Sequence, residues 1–154
     1  MRSVYRDAAF EDLVKRLAEQ QHPHLTTSLF RTMRELLCFC AVVGYDNGKR
    51  RELGKKREEI PARVFEGNDF AMDLIYLLAL CETKSAEILK PENESDAVQI
   101  FEEYANGGLE CLKKWLADTP TDAYGDEAII NALREQGLME VGAKAESESI
   151  VIEI

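Results

Sequence analysis

Four groups of residues carry side chains able to do chemistry, and spacing limits each of them. Glu102 and Glu103 are adjacent in a stretch of helical periodicity, so their carboxylates diverge by about 100° and cannot converge on one substrate atom. Glu103 and Glu110 lie seven apart and share a face with Asn106 between them; they would serve a reaction only if that face turned inward to line a pocket. His22 and His24 flank Pro23. A His-x-His pair can ligate a metal, but no cysteine or carboxylate cluster accompanies this one, and the plain reading is a solvated loop. Cys38 and Cys40 stand two apart on a helical pattern, which sends their thiols roughly 200° apart. With Cys81 and Cys111 they read as reduced, buried small hydrophobes rather than zinc ligands.

No glycine-rich phosphate loop follows a strand, no Gly-x-Ser-x-Gly elbow occurs, and both histidines sit in one loop, leaving none to activate a nucleophile elsewhere. The expectation is a protein that is not an enzyme and uses no cofactor and no metal. What remains is a cluster of cations. Lys49, Arg50, Arg51, Lys55, Lys56 and Arg57 follow the turn signal Tyr45-Asp46-Asn47-Gly48, interrupted by Leu53-Gly54 and diluted by Glu52, Glu58 and Glu59. The chain has 29 acidic against 19 basic residues and a net charge of -10, so the cluster inverts the local sign. Exposed on a glycine-bounded loop, these six residues suit DNA phosphates or an acidic protein partner, or they form an ordinary solvated loop.

The elements that must position these groups are helical. A chain of 154 residues, 45% of them hydrophobic, supports one ordinary core. Asp7 caps a helix to about Gln20, with Ala9, Phe10, Leu13, Val14 and Leu17 at helical spacing. A second helix runs from about Thr27 to a stop at Gly44, apolar nearly all round from Leu36 to Val43. Ile60 to Glu66 reads as an extended segment ending at Gly67, and Asn68 or Asp69 caps a third helix. From Phe70 to Glu82 that helix has hardly a polar face, so it is expected at the centre of the core, with Asp73 satisfied by backbone donors of its first turn. Ser95 or Asp96 starts the longest helix, ending near Asp118, and a shorter one runs from about Asp126 to Gln136 with Gly137 as its stop. The fold expected is mainly α: a single compact bundle of about five helices, with a short extended segment after the basic loop. Residues 1–142 form the helical domain and 143–154 an acidic C-terminal tail, which is a late edge strand or a flexible end. No apolar run reaches the roughly 18 to 20 residues of a membrane span, and no signal pattern opens the chain. The reading is cytoplasmic.

The longest helix organises the rest. Val98, Phe101, Ala105, Leu109, Leu112 and Leu116 form one apolar stripe, with Tyr104 and Trp115 on its shoulders. Gly107 and Gly108 lie beside it, although each glycine costs a helix interior about 1 kcal/mol relative to alanine. Either another backbone crosses there, most readily the helix from Phe70 to Glu82, or Glu102, Glu103, Asn106, Gly107, Gly108 and Glu110 form a surface for a partner.

The segment Ile100-Phe101-Glu102-Glu103-Tyr104-Ala105-Asn106-Gly107-Gly108-Leu109-Glu110 resembles the small accessory proteins encoded with bacterial DNA phosphorothioation (Dnd) systems, the group called Dnd system-associated protein four. Leu36 to Arg51, Ile60-Pro61 with Val64-Phe65, and Leu74 to Glu82 are similar as well. The resemblance implies a bacterial, cytoplasmic accessory protein of the modification–restriction and phage-defence machinery, with other proteins of that system as partners and no assigned active site. It leaves open direct DNA contact through the basic loop and assembly as a homo-oligomer.

Overall fold

The structure, a computed structural model, describes residues 1–140. Strand β1 (Val4–Asp7) leads through a 3-10 turn (Ala8–Phe10) into α1 (Glu11–Ala18), followed by α2 (Met33–Asp46) and strand β2 (Arg57–Ile60). Next come α3 (Ala62–Glu66), α4 (Asp69–Thr83), two 3-10 turns (Ala86–Leu89 and Pro91–Asn93), α5 (Glu94–Asp118) and α6 (Asp126–Glu135). The mainly helical expectation holds, with a small antiparallel sheet added. In it Val4 faces Ile60, Tyr5 faces Glu59, Arg6 faces Glu58 and Asp7 faces Arg57. The expected acidic tail, 143–154, lies outside the described residues.

The centre of the molecule is α5, not the helix from Phe70 to Glu82. Every residue from Ile100 to Leu109 is buried, so a segment with polar and charged residues on much of its circumference is enclosed on all sides. By contrast α4 buries Ala71, Leu74, Ile75, Leu78 and Ala79 while Phe70 and Leu77 remain 68% and 56% exposed. Asn68 caps α4, its side chain accepting from the Ala71 amide at 2.9 Å, and Asp73 is solvent-exposed rather than held by first-turn donors.

Three boundaries differ from the pattern-based reading, each for a local reason. Asp7 does act as a cap, accepting from Ala9 N at 2.9 Å, but the turn it caps is 3-10 and the residues before it pair with β2. Leu29 and Phe30 precede α2, which starts after Thr32, whose hydroxyl accepts from Glu35 N at 3.1 Å. Pro61 ends the extended run, because its fixed φ of -56° and missing N–H suit the entry to α3. Phe65 of that short helix is fully buried, edge-on to Phe101.

Gly44 is not a helix stop. It lies inside α2, where a Cβ would meet the Gly108 amide nitrogen at 2.9 Å and overlap the Tyr104 carbonyl. A Cβ on Gly108 would stand 2.7 Å from the Cys40 Cα and overlap the Cys40 carbonyl. A Cβ on Gly107 would stand 2.7 Å from the Lys49 carbonyl carbon. The close crossing expected at Gly107 and Gly108 is therefore real, but the backbone that crosses belongs to α2 and the residues just after it, not to α4. The obstructing atoms are backbone, which cannot rotate away, so Gly108→Ala and Gly44→Ala are each expected to destabilise by about 3 kcal/mol, at the upper end of overpacking costs and beyond the ~1 kcal/mol gained in helix propensity. Denaturant unfolding measures this, and an unchanged midpoint for either variant would contradict the crossing.

Candidate functional site

The polar face of α5 is held by two segments that fold over it from opposite sides. Glu102, 4% exposed, receives both guanidinium nitrogens of Arg2, at 2.7 and 2.9 Å, and the Tyr5 amide at 2.5 Å. That carboxylate fastens the N-terminal arm and strand β1 to the helix, and the bond to it holds the Arg2 guanidinium more firmly charged. Glu103, 6% exposed, accepts from Arg50 Nε and Nη2 at 3.1 and 2.9 Å, while Arg50 Nη1 reaches Glu82 of α4 at 3.0 Å. Arg50 thus joins α5 to α4 through the loop.

The loop backbone is docked as well. Arg51 N donates to the Glu103 carbonyl at 3.0 Å, and Asn106 Nδ2 donates to the carbonyls of Arg51 and Glu52 at 3.3 and 3.1 Å. Gly107 makes room for the Lys49 carbonyl directly beside these bonds. Further along, Arg51 Nε meets Glu110 at 3.1 Å and Lys49 Nζ lies 3.9 Å from it. At its far end the loop is tied to β1, since Gly54 N donates to the Asp7 carboxylate at 2.8 Å.

These contacts rearrange the residues singled out by sequence. Glu102, Glu103, Asn106, Gly107 and Gly108 are buried beneath the arm and the loop, so they form no surface for a partner; Glu110 alone of that set remains partly exposed. The six cations divide. Lys49, Arg50 and Arg51 meet α5 carboxylates, although Arg50 and Arg51 stay exposed, whereas Lys55, Lys56 and Arg57 are exposed without such a partner among the described residues, and Arg57 bonds the Gly54 and Leu53 carbonyls. Glu103 borders the cleft between arm and loop, whereas Asn106 is turned to the loop carbonyls. The nearest polar cleft, about 340 Å³, opens between arm and loop and is lined by Arg2, Arg57, Gln99 and Leu53 with Glu52, Glu102 and Glu103. Two guanidiniums against three carboxylates give it no strong preference for an anion.

Tyr104 and Glu82 were not legible as partners in the sequence, although a lone carboxylate ending an apolar helix was a signal. The Tyr104 hydroxyl donates to Glu82, and this bond, opposed by burial and assisted by Arg50, holds the Glu82 carboxyl below its usual range. Burial and the same bond push Tyr104 up to about 12. His22 is not in a solvated loop: it is 6% exposed, its Nδ1 accepts from His24 N at 3.1 Å, and its Nε2 faces Asp126 at 3.2 Å. Burial raises the Cys38 thiol to about 11 and holds Cys40 well above its usual value, as inert core thiols behave. Among the described residues no three His, Cys, Asp or Glu side chains come together to hold a metal, and no helix is long and apolar enough to cross a membrane.

The chain matches the model of a known family. A profile of the family described as DNA sulphur modification system-associated protein 4 covers residues 4–149, and so includes strand β1, the basic loop and the whole of α5, but not Arg2. The chain belongs to this family. Membership associates it with a DNA sulphur modification system; residues 1–3 and 150–154 lie outside the matched span. No curated protein and no solved structure matches the chain.

Two outcomes follow from the clamp. Replacing Glu102 by Gln should cost about 2 kcal/mol, the worth of hydrogen bonds to a charged group, and should speed hydrogen exchange at β1 amides; unchanged protection there would contradict the role given to Glu102. The Tyr104–Glu82 pair sets a pH dependence at both ends. Glu82, lowered on folding, contributes stability above its unfolded value near 4.5 that is lost as pH falls through its folded value. Tyr104, raised on folding, contributes stability below 10 that is lost as pH rises toward about 12. Tyr104→Phe should flatten both limbs, and chemical unfolding across pH 3–5 and 10–12 reads this directly.

Proposed function

We propose that the protein is a non-enzymatic accessory or adaptor component of a bacterial DNA phosphorothioation-linked modification–restriction system that serves phage defence in the cytoplasm, acting through contacts with other proteins of that system. The observation that carries this reading is the commitment of the ionisable groups of the family-typical α5 segment to internal bonds. Glu102 is held by Arg2 and Tyr5, Glu103 by Arg50, and Asn106 by two loop carbonyls. A carboxylate already held by a guanidinium is a poor general acid or base, because the guanidinium competes with a proton for the same oxygens. Such a network instead fixes the relative positions of an arm, a loop and a helix, which is what a rigid binding body requires. Tagged protein expressed beside its genomic neighbours should retain one or more of them through purification. Retention of none, with no modification or defence phenotype on deletion, would overturn the reading.

A second reading, direct DNA binding, is favoured by one observation: Lys55 and Lys56 at the end of the loop and Arg57 at the start of β2 are exposed, with no acidic side-chain partner among the described residues. Three phosphate contacts predict a slope of log affinity against log salt of about -3, whereas all six cations would give about -5. A salt titration with the parent and with the Lys55→Gln, Lys56→Gln, Arg57→Gln triple variant measures this. Slope and affinity unaffected by the substitutions, or no binding at low salt, would dismiss DNA as the ligand of this loop.

A further inference from the structure

An apolar groove of about 430 Å³ lies between α2 and the start of α4. Phe39, Val42 and Phe70 wall it with Cys38 and Phe30, and Arg34, Glu35 and Asn68 form its polar part. Toward the other end of the same two helices, Tyr45 of α2 lies against Cys81 of α4. Leu77, seven positions after Phe70 and four before Cys81, falls on the face those two residues define. Phe70 is 68% exposed, Leu77 56%, Val42 45% and Tyr45 41%. From Phe70 to Cys81 the strip runs about 16 Å at 1.5 Å per residue, roughly three helical turns. Large apolar side chains left uncovered in one continuous strip mark a docking surface, whereas scattered single ones do not.

The charges beside the strip decide what it can receive. Glu35 and Asp46 stand seven before and four after Val42, and Asp73 stands three after Phe70; all three are exposed on the faces that carry the strip. Of the charged residues on α2 and α4 only Arg34 is basic, and it is half-buried with its Nη1 donating to the Val64 carbonyl at 3.0 Å. Asn68 is occupied as the cap of α4. The groove is therefore apolar along its length and acidic at its rim. We propose that it receives an amphipathic helix of a partner protein, whose apolar stripe seats on Val42, Tyr45, Phe70 and Leu77 and whose flanking lysines or arginines meet Glu35, Asp46 and Asp73. A second copy of the chain would bring the same carboxylates face to face, and nucleic acid or an anionic lipid surface would meet like charge. The proposal rests on the adaptor reading above and supplies the kind of partner that reading calls for.

Fluorescence anisotropy on the full chain tests this with synthetic peptides of about 18 residues, long enough to form an isolated helix. One contains leucine and lysine with the leucines at helical spacing, one has the same composition with the leucines dispersed, and one replaces the lysines of the first by glutamate. Only the first should bind at physiological salt, and Phe70→Asp or Leu77→Asp should weaken it by about tenfold or more. Each substitution adds a carboxylate beside the groove, so ionic attraction alone would tighten binding, and a loss reads the apolar contact. Asp73→Asn should make the salt dependence shallower. Unchanged amide NMR shifts in α5 verify that each variant is folded. Equal binding of the dispersed peptide, indifference to both aspartate substitutions, or no binding at all would overturn the proposal. So would self-association of the parent that Phe70→Asp abolishes, since this would assign the groove to a second copy. Co-purification keeps the two readings apart. A genomic neighbour retained equally by the parent and by Phe70→Asp would overturn the groove and leave the adaptor reading standing. Retention of none by the parent, beside binding of the first peptide alone, would overturn the adaptor reading and support the groove.

Discussion

The close passage of α5 against α2 is the constraint on which the rest of this structure depends. Three positions without a Cβ, Gly44, Gly107 and Gly108, let backbone meet backbone. A helix pair normally stands 8–10 Å apart, held off by side chains; removing those side chains lets carbonyls nest against the opposing helix. The helix-propensity penalty of the glycines, about 1 kcal/mol each, is offset by the packing that enclosure brings to Leu109, Leu112, Phe101 and Leu37, all 1% exposed or less. Enclosure has a second consequence. It draws Glu102, Glu103 and Asn106 out of water.

Buried carboxylates cost several kcal/mol each unless paired and fully hydrogen-bonded. The N-terminal arm and the basic loop meet that requirement, and they cannot be regarded as appendages. Without Arg2 and Tyr5 N, Glu102 would be an uncompensated charge under β1; without Arg50, Glu103 would be one under the loop. Asn106 completes the arrangement by capping two loop carbonyls, although its own Oδ1 finds no partner among the described residues. The local inversion of charge from Lys49 to Arg51 is thereby explained by the folded state itself. It answers the carboxylates of α5 before it answers any external ligand.

Much of this was legible from the residues, and the misreadings have physical causes. The extent of α5, its apolar stripe and the tight crossing at its paired glycines follow from spacing alone, because those signals are local. Which backbone crosses is a tertiary fact, and hydropathy pointed to the wrong one. The segment from Phe70 to Glu82 is more apolar than α5, yet it lies to one side with Phe70 and Leu77 in the open, since composition measures how much a helix can bury and not how much surrounds it. Gly44 looked like a helix terminus because glycine serves both as a left-handed stop and as a contact point, and only its partner distinguishes the two. Strand β1 was hidden by its length of four residues and by Arg6, which is turned inward and 5% exposed with Glu11 as its partner. The site was legible as a set of residues and not as an arrangement: the carboxylates and the cations were both conspicuous, but nothing in the chain's order says that Glu103 and Arg50, 53 positions apart, neutralise each other.

That mutual neutralisation changes where recognition can occur. Once Glu102 and Glu103 are paired with Arg2 and Arg50, and Arg51 with Glu110, the clamp side presents ion pairs that are already made, and exposed ion pairs contribute little net affinity to a partner. Among the described residues the uncommitted features include a short cationic stretch, Lys55 to Arg57, and the apolar groove beside α2 and α4. They lie on different elements and differ in chemistry, so they respond to different variables. Contacts made by the cationic stretch weaken with salt; burial in the groove does not, and it strengthens with temperature over the range where apolar hydration is entropically unfavourable. Neither surface uses the residues that hold the fold together, so substitutions at either one leave the clamped centre of the molecule in place.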